Sequence, residues 1–113
     1  DIISLHVHVT DETRYMVDKK FLDSMKKGSY IINTSRGEIV NEKDIIQSLR
    51  DGHLKGYATD VLEDEYGNRY HSPILKGVKE GLNIIVTPHI GGMTWEGQQK
   101  AYEWSIKKLE KVK

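Results

Sequence analysis

The groups able to do chemistry in this chain fall in four short bursts: "HVHVT" at residues 6–10, "NTSRG" at 33–37, "TDVLEDE" at 59–65 and "TPHIGG" at 87–92. Arg36 carries a planar fork of donors that matches a carboxylate at two points at once. A histidine is the ordinary proton donor or acceptor near neutral pH, and a neighbouring acid favours its charged form. Arg36, Glu65 and His89 together suit a small carboxylate substrate that exchanges a proton. Thr34, Ser35, Gly91 and Gly92 are small, and would let a large planar ligand approach the backbone. Singly, these residues have plainer readings. An Arg–Gly pair is common in turns, and Asp60 could simply end a strand.

What would bring the bursts together is the order of elements around them. Ile2, Ile3, Leu5, Val7 and Val9 form a first apolar run, a candidate buried strand. "VDKKFLDSMKKG" predicts a helix capped by Asp18, with Phe21, Leu22 and Met25 on one face and Gly28 at its left-handed exit. "SYIIN" is the second strand. "NEKDIIQSLRDG" predicts a second helix: Asn41 caps it, Asp44 sits where a capping box puts its acid, and Ile45, Ile46 and Leu49 face inward before Gly52. "KGYATDV" is the third strand and "NIIVTPH" the fourth, stopped by Pro88, which has no N–H for a ladder. Between them runs a polar loop, with residues 62–83 the least regular part. A long helix follows from about Thr94, with Tyr102, Ile106 and Leu109 at helical spacing.

Strands alternating with helices predict an α/β fold: a parallel sheet of about four strands with helices on its faces, one domain over residues 1–113. Apolar runs without alternation fit strands covered on both sides. In an open parallel sheet the strand carboxyl ends share one edge, and ligands bind in the crevice outside it. Arg36, Asp60, Glu65 and His89 would then stand along one rim.

The totals narrow the classes. Seventeen basic and seventeen acidic residues balance to zero, which gives no support to nucleic acid or a membrane surface as partner. No apolar run approaches the roughly 18 residues of a spanning helix. There is no cysteine, so disulfides and thiolate metal sites are excluded. A soluble, cytoplasmic protein is expected. The chain opens at Asp1, inside a strand reading, and is expected to be a fragment.

The remaining polar and aromatic residues have bland readings. His6 and His8 lie two apart but lack a third ligand at a recognisable spacing, so no metal site is expected. His53 reads as a solvated helix-exit residue and His71 as an exposed loop residue. Trp95, Tyr102 and Trp104 read as packing groups. The tail "KKLEKVK" reads as a solvated face.

Four segments, "DIISLHV", "FLDSMKKGSYIINTSRGEIVN", "LRDGHLKGYATDVLEDE" and "NIIVTPHIGGMT", cover nearly the whole chain. In order and spacing they resemble the D-isomer-specific 2-hydroxyacid dehydrogenases. The resemblance implies the second half of a Rossmann-like NAD-binding domain, without the Gly-rich loop or the substrate domain. It implies hydride transfer between a nicotinamide cofactor, NAD or NADP, and a D-2-hydroxy or 2-oxo acid. Arg36 would grip the substrate carboxylate, His89 would give or take the hydroxyl proton, and Glu65 would pair with His89. Asp60 resembles the ligand of the nicotinamide carboxamide. Val7, His8, Thr13, Thr34, Ser35, Gly91 and Gly92, with Arg36 and His89, would lie along the cofactor.

Two positions depart from the family pattern. His8 and Tyr66 stand where proline is usual. The alternatives within the resemblance are a non-catalytic NAD-binding regulator and an inactive structural half-domain. The neighbouring strand of the family domain would be missing, which exposes the edge of the first strand. That predicts a homodimer through the sheet edge or the last helix.

Overall fold

A computed structural model describes residues 1–112. The elements are β1 (Ile2–Leu5), α1 (Lys19–Ser24), β2 (Ser29–Asn33), α2 (Glu42–Arg50), β3 (Leu54–Thr59), α3 (Pro73–Lys79), β4 (Ile84–Val86) and α4 (Trp95–Glu110). Short 3-10 turns cover Gly37–Ile39 and Arg69–His71. The four strands form one sheet in the order β1-β2-β3-β4, and every pairing is parallel.

The helix ends follow their local chemistry. Asp18 caps α1 by accepting from the Phe21 amide at 2.8 Å. Gly28 and Gly52, with φ of +85° and +67°, take the left-handed exits expected of them. Asn41 caps α2, accepting from the Lys43 and Asp44 amides. The capping box is not made, because the Asp44 carboxylate turns away to accept from the Lys19 amide at the start of α1. His53 is not a solvated exit residue. Its Nε2–H donates to the Leu22 and Met25 carbonyls, covering the open end of α1.

The sheet's two faces differ. Ile3, Ile31, Tyr57 and Ile84 are in register and face the helices, where Leu22, Ile45, Ile46, Leu49 and Ile74 complete the core. The other face carries Ile2, Tyr30, Ile32, Ala58 and Ile85, with Ile2 and Ile85 67% and 64% exposed. Helices therefore do not cover both faces. Right-handed crossovers that all step in the same direction put α1, α2 and α3 on the same side.

Three further readings need correcting. The first strand ends at Leu5, so Val7 and Val9 lie beyond it. Residues 73–79, inside the stretch taken as irregular, form α3, with Ser72 accepting from the Ile74 amide and Pro73 in the first turn. Trp95, Tyr102 and Trp104 are not packing groups: α4 buries none of its residues.

Candidate active site

Three strand ends meet around Asp60, which directly follows β3 and is only 7% exposed. Its Oδ1 accepts from the Thr87 hydroxyl and from the Ile90 amide at 3.0 Å; its Oδ2 accepts from the Gly91 amide at 2.8 Å. These contacts bracket His89, whose φ of +57° lies in the left-handed region that costs a residue with a Cβ about 1–2 kcal/mol. One carboxylate thus holds the turn that presents the histidine. Burial alone would raise the Asp60 pKa. The Thr87 hydroxyl, the Gly91 and Ile90 amides and the His89 charge outweigh it and hold the group below its ordinary 3.8.

The His89 ring lies against Glu65, with Nδ1 2.6 Å from Glu65 Oε2. A carboxylate only accepts, so Nδ1 carries the proton and Nε2 is left for exchange with a ligand. Glu65 Oε1 is held in turn by the Leu62 amide at 2.9 Å. The pair borders an open cleft of about 1040 Å³, lined on its apolar side by Leu62, Leu75, Val78 and Met93.

Arg36 comes from the turn after β2, and buried Asn33 shapes that turn. Asn33 Nδ2 donates to the Arg36 carbonyl at 2.9 Å, and its Oδ1 accepts from the Ser35 amide at 3.1 Å. Ser35 Oγ donates to the Leu5 carbonyl, tying the turn to the end of β1. The Arg36 side chain is exposed and donates to the Ser35 carbonyl at 2.7 Å. Its neighbour Gly37 seats this turn against the segment that leads to Glu65. A Cβ on Gly37 would stand 2.1 Å from the Leu62 carbonyl carbon.

The remaining rim is open. Val7, His8 and Thr34 are exposed after β1 and β2, and a Cβ on Gly92 would meet nothing within 4 Å. Thr13 is half-buried, and its hydroxyl donates to the His8 carbonyl at 2.7 Å, folding the segment after β1 into a turn. Glu65 and His89 are thus directly joined, and Asp60 is tied to them through the backbone of the His89 turn. Arg36 reaches them through the backbone of Gly37 and Leu62. Among the described residues no group of three or more acidic or histidine side chains could hold a metal ion.

Sequence reasoning missed the groups that hold the site. Thr87 stands in the "TPHIGG" burst, but nothing there gives it a role; Glu42, Ser72 and Tyr15 have no motif of their own, and the partners of all four are distant in sequence. Nothing in the sequence separates Glu42 from any other acid in a helix's first turn. Tyr15, with φ of +53°, donates its hydroxyl to Glu63, and that bond, with burial, raises its pKa.

An all-parallel sheet with its polar groups gathered at the strand carboxyl ends is a Rossmann-like dinucleotide-binding arrangement. Residues 1–91 match the family model for the D-isomer specific 2-hydroxyacid dehydrogenase, NAD binding domain, and the chain belongs to that family of oxidoreductases. It is similar to the (S)-sulfolactate dehydrogenase of Chromohalobacter salexigens, with 46% identity over 100 residues, covering 88% of this chain and 31% of the relative. Among solved structures it resembles the NAD-complexed D-isomer specific 2-hydroxyacid dehydrogenase of Lactobacillus delbrueckii ssp. bulgaricus. There the TM-score is 0.74 and the identity 34%, with 83% of this chain and 31% of that one covered. It also resembles the Aquifex aeolicus D-lactate dehydrogenase complexed with NAD and lactic acid: TM-score 0.71, identity 33%, coverage 97% and 36%. The chain spans about a third of the length of the curated relatives it matches.

The cofactor of this family domain is NAD. The residues on the rim fit its nicotinamide end: a buried acceptor carboxylate at Asp60, an open glycine edge at Gly92, and a histidine with one nitrogen free.

Proposed function

We propose that the protein carrying this chain is an NAD-dependent D-2-hydroxyacid dehydrogenase, and that Arg36, Glu65 and His89 are its catalytic residues. The bound nicotinamide would supply or take the hydride. Arg36 binds the substrate carboxylate through its exposed guanidinium. In the direction of reduction, His89 delivers a proton from Nε2 to the carbonyl oxygen. Glu65 fixes the tautomer through Nδ1 and balances the ring's charge. Asp60 serves two ends: it shapes the His89 turn, and it would accept from the carboxamide of a bound nicotinamide. Val7, His8, Thr13, Thr34, Ser35, Gly91 and Gly92 line the rest of the cofactor's path. On this reading the chain is the second half of the NAD-binding domain, and the protein works in the cytoplasm as a homodimer on a small 2-hydroxy or 2-oxo acid.

The observation that carries the reading is the 2.6 Å Glu65–His89 pair, set by Asp60 at the carboxyl edge of a parallel sheet. The test is steady-state reduction of a panel of 2-oxo acids with NADH by the whole protein, beside His89→Gln. Turnover that falls by about 10²–10⁴ in the variant supports it. NADH binding without turnover on any 2-oxo acid would overturn it in favour of a regulator.

A further inference from the structure

One buried acid lies outside the trio but is bonded to the segment that carries it. Glu42 opens α2 and is only 4% exposed. Its Oε1 accepts from the Glu63 amide at 3.0 Å and its Oε2 from the Ser72 hydroxyl at 2.6 Å. Ser72 is also the cap of α3. The two oxygens therefore grip both ends of the excursion between β3 and α3, the excursion that contains Glu65. A carboxylate is costly to bury unless its oxygens are bonded, and the first turn of a helix is a favourable place for its charge. The ion pairs among the described residues give it no cationic partner.

Glu42 and Glu65 hold consecutive peptides. The Glu63 amide goes to Glu42, and the adjacent Leu62 amide goes to Glu65. Glu65 then holds His89 through its other oxygen. Tyr15 adds a third hold on the same point, through the Glu63 side chain. We infer that Glu42 is a positioning residue: by clamping Glu63 and Ser72 it sets the peptide that aims Glu65 at His89. This rests on the reading of Glu65 and His89 as the catalytic pair. The clamp itself can be tested without activity.

The test uses this chain in NMR and the whole protein in kinetics, each with Glu42→Ala and Glu42→Gln. Glutamine keeps an oxygen for the Glu63 amide and offers an N–H to the Ser72 hydroxyl, so it should rescue. The expected result for alanine is loss of the slowly exchanging His89 Nδ1–H signal and faster exchange at the Leu62 and Glu63 amides. Amides in β2 and β3 should keep their protection. In the whole protein kcat should fall by about 10- to 100-fold, as for a misplaced reacting group. KM should stay within about twofold, because ground-state binding does not use this clamp. An alanine variant that keeps the ring signal, the amide protection and kcat overturns the inference. Should the alanine variant not fold, Ser72→Ala releases the Oε2 grip, together with the α3 cap, and leaves the Oε1 grip on the Glu63 amide in place. Faster exchange at the Glu63 amide and a weakened His89 ring signal are then expected, and an unchanged pair overturns the inference. His89→Gln with undiminished activity would instead defeat the catalytic reading and leave the NMR result on the clamp standing.

Discussion

Each of the three proposed catalytic side chains is held by a different kind of partner, so each fails differently. Arg36 keeps its guanidinium exposed and spends only Nη1 on a neighbouring carbonyl. Arg36→Lys retains the charge but loses the fork, and one charge-assisted bond is worth about 1.5–3 kcal/mol. We expect kcat/KM for a 2-oxo acid to fall about 10- to 100-fold in the whole protein. An unchanged value in steady-state kinetics removes Arg36 from the site. Asp60 makes its own prediction through pH. Its folded pKa lies below the ordinary 3.8 that an unfolded chain would show. Its contribution to stability is therefore complete above that value and is lost as pH falls through the lower, folded pKa. Asp60→Asn should flatten the acid limb of the stability curve below about pH 4, where the unfolded carboxyl titrates. It should also speed exchange at the Ile90 and Gly91 amides, since an asparagine cannot accept with both ends. Urea unfolding across the acid range checks the first effect and hydrogen exchange the second. An acid limb that matches the wild type would mean the carboxylate does not carry the turn.

The elements legible in the sequence were those whose signals are local. Asp18, Asn41, Gly28 and Gly52 marked helix ends by the chemistry of one or two peptides, and the structure puts them there. The strand-end bursts were legible because a parallel sheet sends every carboxyl end to one edge. α3 was hidden because Ser72 and Pro73 are both turn residues and helix starters, and only the apolar face of Ile74 decides between them. Glu42 was hidden because its partners lie 21 and 30 residues away. The same contrast separates two glycines of the candidate site. Gly37→Ala would put a Cβ 2.1 Å from backbone that cannot move freely, whereas Gly92 faces open space. Overpacking of this kind costs about 1–3 kcal/mol. We expect Gly37→Ala to lower the urea midpoint and Gly92→Ala to leave it in place. If Gly92 lies along the cofactor, its alanine variant should weaken NADH binding in the whole protein while stability holds. Equal urea midpoints for the two variants would show that the Gly37 contact carries no load.

For the molecule as a whole, the decisive feature is apolar surface that this chain leaves uncovered. The helix-free face of the sheet shows Ile2 and Ile85. α4 carries Trp95, Tyr102, Ile106 and Leu109 along one stripe, each between 57% and 78% exposed. The helix stretches the molecule to 56 Å, and the radius of gyration is 16.4 Å where a chain of this length ordinarily has about 13 Å. Burying one such side chain is worth about 1.5–3 kcal/mol, so the α4 stripe alone offers about 6–12 kcal/mol. Association costs about 4–15 kcal/mol in lost freedom, so the stripe comes close to balance and the sheet face must tip it. We therefore expect this chain to self-associate weakly, at micromolar concentrations or above, through α4 and the open sheet face. The arrangement should be two-fold, because each copy carries both surfaces. Sedimentation velocity over a range of concentrations should show a growing dimer, and Ile106→Glu with Tyr102→Glu should return it to a monomer without loss of helices α1–α3. A wild-type chain that stays monomeric at the highest concentration would refute the argument. NAD titration on the same samples completes it. The 113 residues hold no G-x-G-x-x-G fingerprint between a strand and a helix to take the pyrophosphate, so binding to this chain should be far weaker than to the whole protein. Tight binding by the chain alone would mean that the rim from Thr34 to Gly92 holds the nucleotide by itself.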